Sequence, residues 1–106
     1  MAHDRVVITG AGIVCALGNS LPSVWDAVVS GHHGIRPLEG FDAAGFDCAV
    51  GAQVPALSPH SLGIDPRDTR IMNTHSSMLL KAARDAFSAS GLDATPLPKE
   101  TIAFFA

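Results

Sequence analysis

Charge is what this sequence has least of. Only 16% of its 106 residues are Asp, Glu, Lys or Arg, against about 25% in an ordinary globular domain. A chain of this length makes one small domain at most, and a small domain needs polar groups to cover its large surface. With so few of them, and a mean hydropathy of +0.28, much of the surface is expected to face other protein. The seven Lys and Arg are scattered, no two of them adjacent, and the net charge is −3. That spread excludes the basic stripe of a nucleic-acid footprint. Cysteine is scarce as well. Cys15 and Cys48 read as free thiols of a reducing compartment rather than a disulfide. No apolar run approaches the ~18 residues of a membrane span. The stretch Val6 to Leu17 is interrupted by Thr9, Gly10 and Gly12, and no small-x-small cleavage site follows it. A cytoplasmic protein is expected.

What is present alternates between strand and helix signals, so the expected fold class is α/β. Arg5–Thr9 predicts a strand apolar on both faces, as in a covered sheet, and Gly10 and Gly12 make the turn after it. Ser20 is placed to cap a helix with Pro22 in its first turn. Val24, Trp25, Val28 and Val29 repeat at helical spacing, and Gly31 stops the helix. His32 to Cys48, with Gly34, Pro37, Gly40 and Gly45, predicts a loop. Ala49–Val54 predicts a short strand, and Pro55 to Pro66 a second loop. The strongest local pattern spans Asp68 to Ser90, with Met72, Ser76, Leu79, Ala83, Ala86 and Phe87 on one face. Asp68 is its expected N-cap. Gly91 suits the left-handed position at its end, with Leu92 against Phe87 as in a Schellman ending. The small residues of this helix predict close backbone approach and burial on more than one side. Thr101–Ala106 predicts a further apolar strand, with both faces wanting cover. A chain of this kind is expected to be part of a larger body and not a stable monomer by itself.

The residues that carry chemistry have duller readings beside them. Gly10-Ala11-Gly12 after a strand invites dinucleotide binding, but the full fingerprint has a third glycine where Cys15 stands. Cys15 has no partner His and Asp legible from spacing, and a small packed hydrophobe is the simpler role for it and for Cys48. His32 and His33 are adjacent, which is poor metal-ligand spacing. His60 stands alone, and His75 reads as a packed, hydrogen-bonded histidine beside the long helix's buried face. Asp65 and Asp68 flank Pro66-Arg67 and read as a turn and a helix cap, not an acid–base pair.

Four segments in order resemble one family. RVVITGAGIVCALGN at Arg5–Asn19, VWDAVVSGHHGIRPL at Val24–Leu38, FDCAVGAQV at Phe46–Val54 and DPRDTRIMNTHSSMLLKAARDAFSASGLD at Asp65–Asp93 are similar to the start of the β-ketoacyl-acyl-carrier-protein synthases, the condensing enzymes of fatty-acid and polyketide synthesis. Members commonly read Met-Asp-Arg where this chain has Met72-Asn73-Thr74.

The resemblance implies a thiolase-like fold, of which residues 1–106 would form an incomplete first half, a mixed sheet with packed helices. It implies a decarboxylative Claisen condensation, with an active-site cysteine taking the acyl group and two histidines assisting. All three lie in segments beyond Ala106. Neither Cys15 nor Cys48 matches the nucleophile's motif, so no catalytic, cofactor-binding or metal-ligating residue falls on this segment. Implied partners are an acyl carrier protein and a second synthase subunit, in a homodimer or heterodimer. The alternatives are a non-catalytic, chain-length-factor-like partner of a synthase, and a nucleotide-binding α/β domain.

Overall fold

The best-formed elements are those whose ends are fixed by nearby side chains. In a computed structural model describing residues 3–103 and Phe105, helix α1 spans Leu21–Val29. Its start is set by Ser20, whose Oγ accepts from the Ser23 N–H at 3.4 Å. Its end is a Schellman turn: Gly31, at φ 74°, donates to the Val28 carbonyl at 3.0 Å, and His32 donates to Ala27 at 2.9 Å. Both boundaries are as expected from the sequence.

The region expected as a loop from His32 to Cys48 contains a strand. Arg36–Pro37 (β1) pairs antiparallel with Val50–Gly51 (β2), so the second strand is shorter than the expected Ala49–Val54. The ladder continues through the Leu38 N–H, which donates to the Ala49 carbonyl at 2.9 Å, and a side chain adds a second clasp. Gln53 Nε2 donates to the Glu39 carbonyl at 3.0 Å, and Gln53 Oε1 accepts from the Glu39 N–H at 2.8 Å. A side-chain amide thus stands in for a strand's peptide group.

The second expected loop, Pro55 to Pro66, also holds an element. Helix α2 spans Pro59–Leu62, capped by Ser58 and closed by Gly63 in the left-handed region. The single long helix expected from Asp68 is divided in two. Asp65, not Asp68, is the first cap: its Oδ1 accepts from the Arg67 N–H at 2.8 Å and opens α3, Pro66–Thr69. Arg70, Ile71 and Met72 then bond three residues back, a tighter winding than an α-helix sustains. Helix α4 restarts at Thr74 and runs to Ser90. Asn73 caps it, Oδ1 accepting from the Ser76 N–H at 2.8 Å. Asn73 interrupts the long helix because its amide satisfies the donors of a new first turn.

At the far end of α4, Gly91 takes the left-handed conformation at φ 72° and donates to Ser88. The second bond of the expected Schellman ending is relayed. Leu92 N–H donates to Ser90 Oγ at 3.3 Å, and Ser90 Oγ donates to the Phe87 carbonyl at 2.7 Å.

Among the described residues neither apolar strand expected near the ends forms. Arg5–Thr9 has no ladder partner among them and lies open, with Val6 95% and Ile8 92% exposed. Thr101 ends a 3-10 turn, Lys99–Thr101. Ile102, Ala103 and Phe105 are unpaired, and Phe104 and Ala106 of that expected strand lie outside the described residues. A strand is made by its neighbour's hydrogen bonds, and no described segment supplies them. Among the described residues only Val24 and Leu62 are buried hydrophobics. The accessible surface is 8646 Å², where a folded monomer of this mass exposes about 5,600 Å². The radius of gyration is 17.7 Å, against about 13 Å for a compact domain of this length.

Candidate functional site

Gly10–Gly12 forms neither a turn nor a bend, contrary to the turn expected there, and its backbone packs directly against the second half of α4. A Cβ on Gly10 would lie 2.6 Å from the Ser90 nitrogen, with the Ala86 carbonyl oxygen nearer still. A Cβ on Gly12 would lie 2.8 Å from the Ala82 carbonyl carbon and 3.0 Å from the Ala86 nitrogen, with the Ala82 oxygen nearer still. Neither glycine has a positive φ. Their role is therefore close approach, not a left-handed turn. The face of α4 that receives them is Ala82, Ala86 and Ser90, each half-buried. This corrects the face expected from apolar spacing, because Ser76, Leu79 and Phe87 are exposed.

That packing disposes of the dinucleotide reading. A nucleotide fold keeps such glycines bare so that a pyrophosphate can approach over a helix N-terminus. Here the flank of a helix fills the space, and the next helix opens only at Leu21.

Two cations tie distant segments onto α4. Lys81 Nζ donates to the Asn19 carbonyl at 3.2 Å and pairs with Asp85 one turn on. Arg84 Nη1 donates to the Leu62 carbonyl at 2.6 Å and to that of Gly63 at 3.0 Å. It satisfies the last carbonyls of α2, where a positive group is favoured. Neither tether was legible beforehand, since nothing local marks a partner twenty or sixty residues away.

The remaining candidates do not converge. Cys15 is half-buried, within a turn closed by two backbone bonds to Gly18, while Cys48 is exposed. His32, His33 and His60 are exposed, and so is His75, which corrects its expected packing. It shares a face of α4 with Ala82 and Ala86, seven and eleven residues on, but lies about two turns before the glycine contacts. Asp65 is the cap and Asp68 lies in the first turn it caps, which reverses the expected roles of the two. No three His, Cys, Asp or Glu side chains gather as a metal site among the described residues. An open groove of about 760 Å³ runs beside the glycine seat, lined by Thr9, Phe87, Leu92, Ile102 and Ala103 among others. Its lining is mostly apolar, which suits packing rather than bond-making chemistry. No helix among the described residues is long and apolar enough to cross a membrane.

Comparison with known proteins bears on the whole chain. The family model described as "Beta-ketoacyl synthase, N-terminal domain" matches residues 3–106. A 3-oxoacyl-[acyl-carrier-protein] synthase 2 of Coxiella burnetii is 36% identical over 93 residues, covering 88% of this chain and 22% of that protein. The actinorhodin polyketide putative beta-ketoacyl synthase 1 of Streptomyces coelicolor is 36% identical over 89 residues, covering 84% of this chain and 19% of its own length. A nodulation protein E of Rhizobium sp. strain N33 is 35% identical over 88 residues, with 83% and 21% covered. The chain thus spans about a fifth of the length of each of these relatives.

Proposed function

Because the chain belongs to the β-ketoacyl synthase N-terminal domain family, we propose that it is the opening scaffold of a condensing enzyme of fatty-acid or polyketide synthesis. The observation that carries this reading is the match itself, which runs from residue 3 to residue 106. The seating of Gly10 and Gly12 on α4 supports it, since it gives the conspicuous glycines a packing role. The unpaired Arg5–Thr9 segment and the large exposed surface fit a body completed by further strands and helices. On this reading residues 1–106 belong to the first half of a thiolase-like fold, in a cytoplasmic protein.

The reaction would be a decarboxylative Claisen condensation. A cysteine thiolate attacks an acyl thioester and the carrier's thiol leaves. A malonyl thioester loses carbon dioxide, and the carbanion so formed attacks the enzyme-bound acyl group, expelling the cysteine. Thiolate character at the nucleophile and fixed donors at the developing oxyanion are what this chemistry needs. On the family resemblance those groups lie beyond Ala106. This segment's contribution is to hold Arg5–Thr9, the seated Gly10–Gly12 stretch and α4 in one arrangement. An acyl carrier protein and a second synthase subunit are the proposed partners.

The test is carbon-dioxide release and product formation from malonyl-carrier protein and an acyl thioester. The full-length protein carrying this chain is expected to condense, and residues 1–106 alone to be inert. Activity of residues 1–106 that Cys15→Ala or Cys48→Ala abolished would overturn the scaffold reading. A full-length protein that folds but supports condensation only beside a second synthase would be the non-catalytic partner instead.

A further inference from the structure

Lys81 is out of keeping with its surroundings. In a chain with almost no interior, its side chain is only 15% exposed and that of its partner Asp85 35%. Covering an ammonium group costs free energy unless its protons are used. Two directions are used here: one toward the Asp85 carboxylate, the other toward the carbonyl of Asn19, 62 positions away in sequence. Lys81 also directly precedes Ala82, whose carbonyl sits under Gly12. The stretch of α4 from Lys81 to Ser90 therefore grips both ends of the Gly10–Asn19 segment, the glycine end by close packing and the Asn19 end by a charged donor.

Between those two grips lies the turn Cys15–Gly18. It is closed by Cys15 N–H to the Gly18 carbonyl at 2.9 Å and Gly18 N–H to the Cys15 carbonyl at 3.1 Å. Cys15 and Asn19 share a small cleft of about 230 Å³ with Val54, Pro55, Ala56 and Leu57. We propose that Lys81 is a positioning residue: its Asp85-oriented ammonium pins Asn19 to α4 and thereby holds the Cys15–Gly18 turn shut. Loosening that pin frees the turn to open locally without unfolding the helix, the kind of sub-global event that sets the accessibility of a half-buried group. The inference concerns the conformation of this segment and holds whatever reaction the whole protein performs.

The thiols provide the readout, because Cys15 lies inside the pinned turn and Cys48 is exposed elsewhere. Labelling of the full-length protein with N-ethylmaleimide, followed by peptide mass spectrometry, gives the ratio of the Cys15 to the Cys48 rate. Lys81→Met keeps the stem and removes the donors, and is expected to raise that ratio about tenfold, the size of effect that follows from losing a charge-assisted hydrogen bond. Lys81→Arg keeps the charge and the reach, and is expected to stay within about twofold of the parent ratio. Because Lys81→Met leaves Asp85 without its partner, Lys81→Met combined with Asp85→Leu removes both charges together and is expected to show the same rise. An unchanged ratio in the double variant, or a rise in Lys81→Arg equal to that in Lys81→Met, would overturn the proposal. A rise confined to the donor-less variants supports it against general loosening, which would not be rescued by arginine.

Discussion

Replacing Gly12 with alanine should be among the most damaging single-methyl changes available in this chain. The added Cβ would meet the Ala82 carbonyl carbon at 2.8 Å and the Ala86 nitrogen at 3.0 Å, where ordinary carbon contacts fall at about 3.5–4.0 Å. The segment must therefore withdraw from α4 by about 1 Å. Overpacking commonly costs about 1–3 kcal/mol. The atoms in the way belong to a helix backbone and have no alternative rotamer, so the upper end, about 3 kcal/mol, applies. That is a large share of the ~5–15 kcal/mol by which a domain is stable. Gly45→Ala is the matched control, because a Cβ there meets nothing within 4 Å and the φ angle is ordinary. It should be neutral or slightly stabilising, through the entropy of the unfolded chain. Soluble yield and thermal unfolding of the full-length protein, with hydrogen exchange at the amides of Ala82 to Ala86, compare the two directly. Equal behaviour of Gly12→Ala and Gly45→Ala would refute the packing argument. A Gly12→Ala protein that folded normally but lost affinity for NAD would refute the scaffold role of the segment.

Residues 1–106 expressed alone should associate or precipitate, since their surface exceeds that of a compact monomer by about 3,000 Å². Sedimentation should show oligomers, with weak near-ultraviolet dichroism and binding of a hydrophobic dye; a monodisperse monomer with a cooperative melt contradicts this. Arg84→Met should release the end of α2 from α4, because it removes the donors to the Leu62 and Gly63 carbonyls. A charged donor to a carbonyl is worth about 1.5–3 kcal/mol, and the exposure of Arg84 favours the lower figure. Faster hydrogen exchange at Leu62 to Ile64 checks it, and unchanged protection there counts against the tether.

How much of this was legible in the sequence depends on how local the physics is. Ser20 and Gly31 were readable as the ends of α1 because capping involves residues three or four apart, and the same holds for Gly91. The start of α4 was misread for an equally local reason. Asp65, Asp68 and Asn73 are all competent caps, and pattern alone does not say that Asp65 opens a short helix before Asn73 opens the long one. Strand content was least legible. Arg5–Thr9 has four strand-favouring residues and no partner among the described residues, while Arg36-Pro37 has little propensity and a partner in Val50-Gly51. Gly10 and Gly12 read as turn residues from sequence, and their packing role shows only in their ordinary φ angles and in the helix backbone a Cβ would meet. Lys81 and Arg84 escaped notice because their partners are backbone carbonyls, which no side-chain pattern advertises.

The spacing of the two seated glycines has a mechanical consequence. Two residues of extended chain advance about 6.6 Å, and four residues of helix about 6 Å. Gly12 meets Ala82 and Gly10 meets Ala86, so the segment runs against the helix direction with the two repeats nearly commensurate, like a detent. A slip of one residue would turn Ala11 toward the helix. A slip of two would bring Val14 or Ile8 into a seat that has no room even for a methyl group. Gly-x-Gly here is a lock on register, and sliding in either direction is blocked by the nearest β-branched side chain.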